Sequence, residues 1–235
     1  MSDDLTLLGI IPARSGSKGI PDKNVREVGG KPLIAHTIED AIRSKRLDEF
    51  LVSTDSERYA EIARDAGAQV PFIRPEELAT DDALTIDVVK HAINEFELRH
   101  EQKVDATILL QPTAPLRTTE DIDAAVELFL QSDAESLITC YESVDAHPNY
   151  MYERGSEDRV VAVRDQTNVP DRRQDFEPVY LRNGAVYIST RELVFDDGRV
   201  YGERPVAYKM SQNRSINVDE EFDLKLAQLL IEENG

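Results

Sequence analysis

Short, mostly apolar runs alternate with helix-period segments over the first 141 residues, and no other feature restricts the fold as much. Leu5 to Ile11, Phe50 to Thr54, Gln69 to Ile73, Ala106 to Leu110 and Glu135 to Tyr141 each read as a strand. Runs such as Leu5 to Ile11 and Ala106 to Leu110 suit strands buried on both faces. The segments between them read as helices. Pro32 opens the first, a favoured first-turn position, with Leu33, Ile34, Thr37, Ile38, Ala41 and Ile42 as its apolar stripe. The second runs from Ser56 to Asp65, with Gly67 as its stop; Asp55, at a strand's C-terminal end where open α/β sheets place their sites, reads as its N-cap ahead of a site residue. The third, Thr85 to Arg99, turns Ile86, Val89, Ile93 and Phe96 inward, and Thr119 caps the fourth, Glu120 to Leu130. This order predicts an α/β fold: a doubly wound, mostly parallel sheet with helices on both faces and right-handed crossovers.

The alternation breaks at residues 142–180. Only two strand-like pieces stand out there, Tyr150 to Glu153 and Arg159 to Val163, beside the adjacent bases Arg172 and Arg173. A long irregular segment within a domain is usually functional or an interface. We read residues 1–235 as one domain carrying this insertion. The pattern resumes with Asn183-Gly184, a strand Ala185 to Ile188, and another at Val206 to Met210. The last helix, Glu220 to Glu233, places Phe222, Leu226 and Leu230 on one face. Asn217 with Glu220 three residues later forms a capping box. On spacing alone, Asn217 and Asp219 read as helix caps ahead of metal ligands.

Charge narrows the partners. Forty-six acids against 27 bases leave a net charge of −19, which disfavours nucleic acid and anionic membrane. No apolar run approaches the roughly 20 residues that span a bilayer. The opening MSDDLTLLG lacks a basic leader. The single cysteine, Cys140, lies in an apolar run and reads as a buried thiol. A cytoplasmic protein is expected.

Against that acidity, Ile10 to Lys31 carries five bases, Arg14, Lys18, Lys23, Arg26 and Lys31, and only two acids, Asp22 and Glu27. Loops are rich in Gly, Ser and Lys merely because they are solvated. The alternative is an anion site, with backbone N–H groups near Gly16 and Gly19 backed by Arg and Lys to hold a polyphosphate. Neither GxGxxG nor the P-loop is present. Further along, Gln111-Pro112-Thr113-Ala114-Pro115-Leu116-Arg117 is stiffened by two prolines, leaving Gln111, Thr113 and Arg117 as polar handles. His147, before Pro148, reads as a structural loop residue.

In order along the chain, IPARSGSKGIPDKN (11–24), STD (53–55), RPEELATDDA (74–83), LLQPTAPLR (109–117), RNGAVYI (182–188) and INVDEEFDL (216–224) resemble the acylneuraminate cytidylyltransferases, the CMP-N-acetylneuraminic acid synthetase family. The resemblance implies a Rossmann-like nucleotidyltransferase that joins CMP from CTP to a nonulosonic sugar acid and releases pyrophosphate. It implies that Arg14, Ser17, Lys18 and Lys23 bind the CTP phosphates, with Lys18 stabilising the departing pyrophosphate. Asn24, Arg74, Ala83 and Thr85 would surround the nucleotide. Gln111 and Tyr187 would face the sugar, and Arg173 would reach a neighbouring subunit from a dimerisation arm at 142–180. Asp219 would coordinate Mg2+, with Asn217 beside it. Two departures stand out. Asn217 occupies a position where the family usually has aspartate, and Tyr150 one where some members have lysine. Pseudaminic, legionaminic and KDO-type acids therefore remain open, as does a catalytically weakened nucleotide-binding homologue.

Overall fold

The computed structural model describes residues 5–17, 19–143, 145–165, 167, 172 and 175–234. The chain runs β1 (Leu7–Pro12), β2 (Glu27–Val28), β3 (Lys31–Pro32), α1 (Leu33–Arg43), β4 (Glu49–Ser53), α2 (Glu57–Asp65), α3 (Thr85–His100) and β5 (Ala106–Leu109). It continues with α4 (Thr119–Leu130), β6 (Ser136–Ser143), β7 (Tyr152–Arg154), β8 (Val160–Ala162), β9 (Val179–Thr190), α5 (Arg191–Phe195), β10 (Val206–Lys209) and α6 (Glu221–Asn234).

Among the described residues the main sheet has six strands in the order β10-β6-β9-β5-β1-β4. β1 lies parallel between β4 and β5. Its residues alternate between two cores: Leu8 and Ile10 face one layer, Leu7 and Ile11 the other. That is why the run is apolar throughout. Each fully buried aliphatic side chain of this kind contributes about 1.5–3 kcal/mol. From β1 the chain crosses to β4 on one side and later reaches β5 on the other. The sheet therefore has a topological switch point at the C-terminal ends of β1 and β5, where open α/β sheets bind ligands. A third core joins the basic loop to the C-terminal segment: Ile20, Val28, Leu33, Val218, Leu224 and Ala227 pack together.

The sheet is mixed and mostly parallel, and it differs from expectation in two places. The run 69–73 is not a strand; it lies beside β4 through a parallel bridge, Thr54 to Ile73, and a bond from Val52 N to Gln69 O at 2.9 Å. Pro71 in its centre has no N–H to give to a ladder. The strand after α4 does not join β5. Instead β9, twelve residues long, lies antiparallel between β5 and β6.

Helix ends also differ in detail. Ser56, not Asp55, caps α2 by accepting from Tyr59 N. Thr118, not Thr119, caps α4, in a reciprocal box with Asp121. At α6 the Asp223 carboxylate accepts from the backbone N–H groups of Asp219 and Glu220 at 2.9 and 2.8 Å, so neither Asn217 nor Asp219 caps that helix. Phe222 is 73% exposed, and Leu224 and Ala227 form the packed face in its place. No helix among the described residues is long and apolar enough to cross a membrane.

Candidate functional site

A cavity of about 470 Å³ opens at the switch point. Arg14, Ser17, Gly19, Lys23 and Asn24 from the loop after β1 form one wall. Arg74, Asp81, Ala83 and Thr85 form a second, and Gln111, Pro112 and Thr113 from the loop after β5 form a third. Asn217 and Asp219 close it from the C-terminal segment. Its volume lies in the range of small-ligand pockets, roughly 300–1,000 Å³. Lys18 and Arg173 lie outside the described residues.

The bases of this cavity are held by acids of the same chain. Arg14 Nη2 donates to Asp81 Oδ1 at 2.6 Å and Nη1 to Ala79 O at 3.3 Å. Lys23 Nζ donates to Val218 O at 2.8 Å and to Asp219 Oδ1 at 2.9 Å. Asn24 Nδ2 ties the loop to itself through Arg14 O at 3.1 Å. Gly19 permits the close approach of the two segments: a Cβ there would sit 2.6 Å from Asp219 O.

Arg74 is 3% exposed, yet its Nε and Nη2 have no hydrogen-bond partner. Burial lowers its pKa from the ordinary value, an effect that nearby Asp55 opposes. A buried guanidinium with unsatisfied donors beside a cavity is a ready receptor for acceptor atoms of a ligand.

Asn217 and Asp219 supply only oxygen toward a metal. Asn217 Oδ1 is buried without a partner, while its Nδ2 donates to Asp219 Oδ2 at 2.6 Å. An amide oxygen and a carboxylate suit a hard divalent cation whose shell is completed by ligand phosphates. Among the described residues no cluster of three or more His, Cys, Asp or Glu side chains could hold a metal without such help.

A second cavity of about 610 Å³ adjoins the first, and Thr85 and Gln111 line both. Tyr187 stands in it with Leu109, Arg182, Arg199 and Tyr201. Burial raises the Tyr187 phenol above its ordinary value, so it is a neutral donor at physiological pH. Arg182 lies over the Tyr201 ring at 4.2 Å, and Arg199 pairs with Glu203 at 3.4 Å. A bulge interrupts the β6–β9 pairing between Arg182 and Tyr187, two residues of this wall. Thr139 and Asn183 bond at 2.6 Å within it, and Asn183 Nδ2 donates to Ser215 Oγ at 2.9 Å.

The sequence reading missed several residues here. Asp81 is one acid among several in RPEELATDDA, and Tyr201 and Arg199 carry no local signal. Arg117 is not a polar handle: it is 2% exposed and reaches back to Ala185 O at 2.8 Å and Gln111 O at 3.3 Å, pinning the loop from beneath. His147 is buried, accepts from Asn149 N and stacks on Phe176, a structural role. Cys140 is buried, and burial raises its thiol pKa.

A family model described as cytidylyltransferase matches residues 8–230. An N-acylneuraminate cytidylyltransferase of Streptococcus agalactiae is 38% identical over 91% of the chain, which spans only 50% of that relative. A CMP-N,N'-diacetyllegionaminic acid synthase of Legionella pneumophila is 36% identical over 98% of both chains. A pseudaminic acid cytidylyltransferase of Campylobacter jejuni is 32% identical over 97% of both. Among solved structures, a CMP:2-keto-3-deoxy-manno-octonic acid synthetase complexed with CTP shares the fold at a TM-score of 0.71 and 17% identity, over 98% of this chain and 100% of that one.

Proposed function

The chain belongs to the cytidylyltransferase family, and from that premise we propose that it transfers CMP from CTP to a nonulosonic, sialic-type sugar acid and releases pyrophosphate. The observation that carries this reading is the pair of cavities meeting at Thr85 and Gln111. The first has cations for a triphosphate, and the second has neutral and cationic groups for a sugar acid.

In this reading Arg14, Ser17, Lys18 and Lys23 hold the phosphates, while Asn24, Arg74, Ala83 and Thr85 surround the nucleoside. Gln111, Tyr187 and Arg173 position the sugar. Its anomeric hydroxyl oxygen loses its proton to water and bonds the α-phosphorus as the bond from that phosphorus to the pyrophosphate oxygen breaks. Arg14 and Lys18 meet the charge that grows on the leaving group, the form of catalysis that fixed cations supply best. Holding both reactants in line supplies the rest. Asp219, with Asn217, would hold Mg2+, which when bound neutralises phosphate charge. Lys23, bonded to Asp219, keeps that carboxylate facing the phosphate loop.

Residues 142–180 serve as a dimerisation arm in this proposal. The β7–β8 hairpin exposes Tyr152, Val160 and Val161, with Val163 just beyond it, and this apolar set suits burial against a second copy. Arg173 would cross that interface. The enzyme would work in the cytoplasm. A second reading, a weakened nucleotide-binding homologue, draws on Asn217, which contributes no charge to the metal.

The test is pyrophosphate release with CTP, Mg2+ and a panel of sialic, legionaminic, pseudaminic and KDO-type acids. Turnover with one sialic-type acid is the expected result. CTP binding without turnover on any acid would reject catalysis and leave the second reading standing.

A further inference from the structure

We propose that Asp55 is a positioning residue that ties the phosphate end of the nucleotide cavity to its buried arginine. This rests on the nucleotide reading of that cavity and deepens it. Asp55 follows β4, at a strand's C-terminal end, and is free of capping duty because Ser56 caps α2. Its two oxygens reach the loop after β1: Oδ1 accepts from Ser15 N at 2.9 Å and Oδ2 from Ser15 Oγ at 2.6 Å. Ser15 lies between the cavity residues Arg14 and Ser17. On its other side Asp55 Oδ1 stands 3.7 Å from Arg74 Nη2.

The chemistry explains why a carboxylate is needed. Arg74 is buried with two donors unsatisfied, and Arg14 stands close enough to repel it. A buried cation without a counterion is costly, and the anion here must lie behind the cavity so that the ligand can still approach from the front. Arg74 N donates to Thr54 O at 2.7 Å, so the segment after β4 holds the arginine by its backbone as well. One carboxylate thus sets the place of Ser15, and through it Arg14 and Ser17, relative to Arg74. A ligand that spans phosphate and nucleoside needs that distance held fixed.

Hydrogen exchange of the ligand-free protein and steady-state kinetics test this with Asp55→Ala, Asp55→Asn and Ser15→Ala. Asp55→Ala should speed amide exchange in residues 13–17 about tenfold while β1 stays protected. It should raise the KM for CTP about tenfold with the KM for the sugar acid unchanged. Asp55→Asn retains an acceptor for Ser15 N and should fall between, and it stands in if the alanine variant does not fold. The double variant Ser15→Ala/Asp55→Ala should be no worse than Asp55→Ala alone. Unchanged exchange at 13–17, equal rises in both KM values, or strictly additive losses would overturn the assignment. If the wild type binds no CTP, the proposed function falls, and the exchange measurement still decides the tether.

Discussion

At the scale of single residues, two cations that a phosphate would use, Arg14 and Lys23, are each paired with a carboxylate that the ligand must outcompete. Arg14 and Asp81 are each about one-third exposed, at 31% and 32%, and their pair is strong only until an anion of higher charge arrives. Exposed pairs of this kind contribute about 0.2–1 kcal/mol. Asp81→Asn should therefore tighten CTP binding about two- to fivefold, since Arg14 no longer has to leave a counterion. Titration calorimetry at fixed ionic strength reads this directly. Weaker binding would mean that Asp81 faces the nucleotide. Asp219 is in a different position, because Lys23 and the proposed metal both act on it. Its removal would cost two partners at once.

At the scale of elements, β9 decides the shape of the second cavity. Gly184 has φ +73°, and a Cβ there would lie 2.6 Å from Gln111 Oε1. Gly184→Ala should cost about 1–2 kcal/mol through the left-handed backbone. It should also raise the KM for the sugar acid by displacing Gln111. Thermal melts and kinetics check the two halves separately. Arg117 works on the same wall from below. Burial lowers its pKa to about 10, and Asp40 and Asp121 oppose that fall, so it stays charged where it grips two backbone carbonyls.

The helix α1 carries a pH-sensitive contact of its own. His36 is buried and its Nε2 donates to Val28 O at 2.8 Å, which joins α1 to the β2–β3 turn. Burial first, then Lys31 and Arg117, lower its pKa below the ordinary 6.5, against the opposing pull of the Val28 carbonyl and Glu39. The folded imidazole stays neutral where the unfolded one takes a proton. Its contribution is therefore present above about pH 6.5 and fades as pH falls. Asp40, on the same helix, is raised chiefly by burial and acts in the opposite sense at lower pH. His36→Gln keeps an N–H donor but does not titrate. The stability gap between wild type and this variant should shrink from pH 7 to pH 5 in denaturant melts. A constant gap would show that the histidine does not titrate on unfolding.

At the scale of the whole molecule, a net charge of −19 sets a repulsion that scattered surface pairs do not offset. Screening should relieve it. Added NaCl up to about 1 M should raise the melting temperature, since the Debye length falls to about 3 Å there. Highest stability in salt-free buffer would refute that account.

Much of this molecule was readable from the chain because the signals are local. Strand and helix types follow from short apolar runs and from the helical period, as in β1 and α3. The basic loop announces an anion site because charge is a property of single residues against a known background. Among the described residues, those placed around CTP and sugar by resemblance line two adjoining cavities, with Arg14 and Gln111 on the loops that follow β1 and β5. Other features could not be read locally. An antiparallel strand between β5 and β6 follows from pairing residues 106–109 with 187–190, and a period-two pattern carries no information about which neighbour a strand will take. The same holds for Asp55. Alone, an aspartate before a helix looks like a cap. Only the packed loop shows that Ser15 offers it two hydrogen bonds and Ser56 does the capping. The linear order of residues thus determined most element types, though not at 69–73, as well as the charge pattern and the position of the basic loop. Tertiary structure decided which strand lies next to which and which acid faces which base, because those choices depend on contacts between residues far apart in the chain.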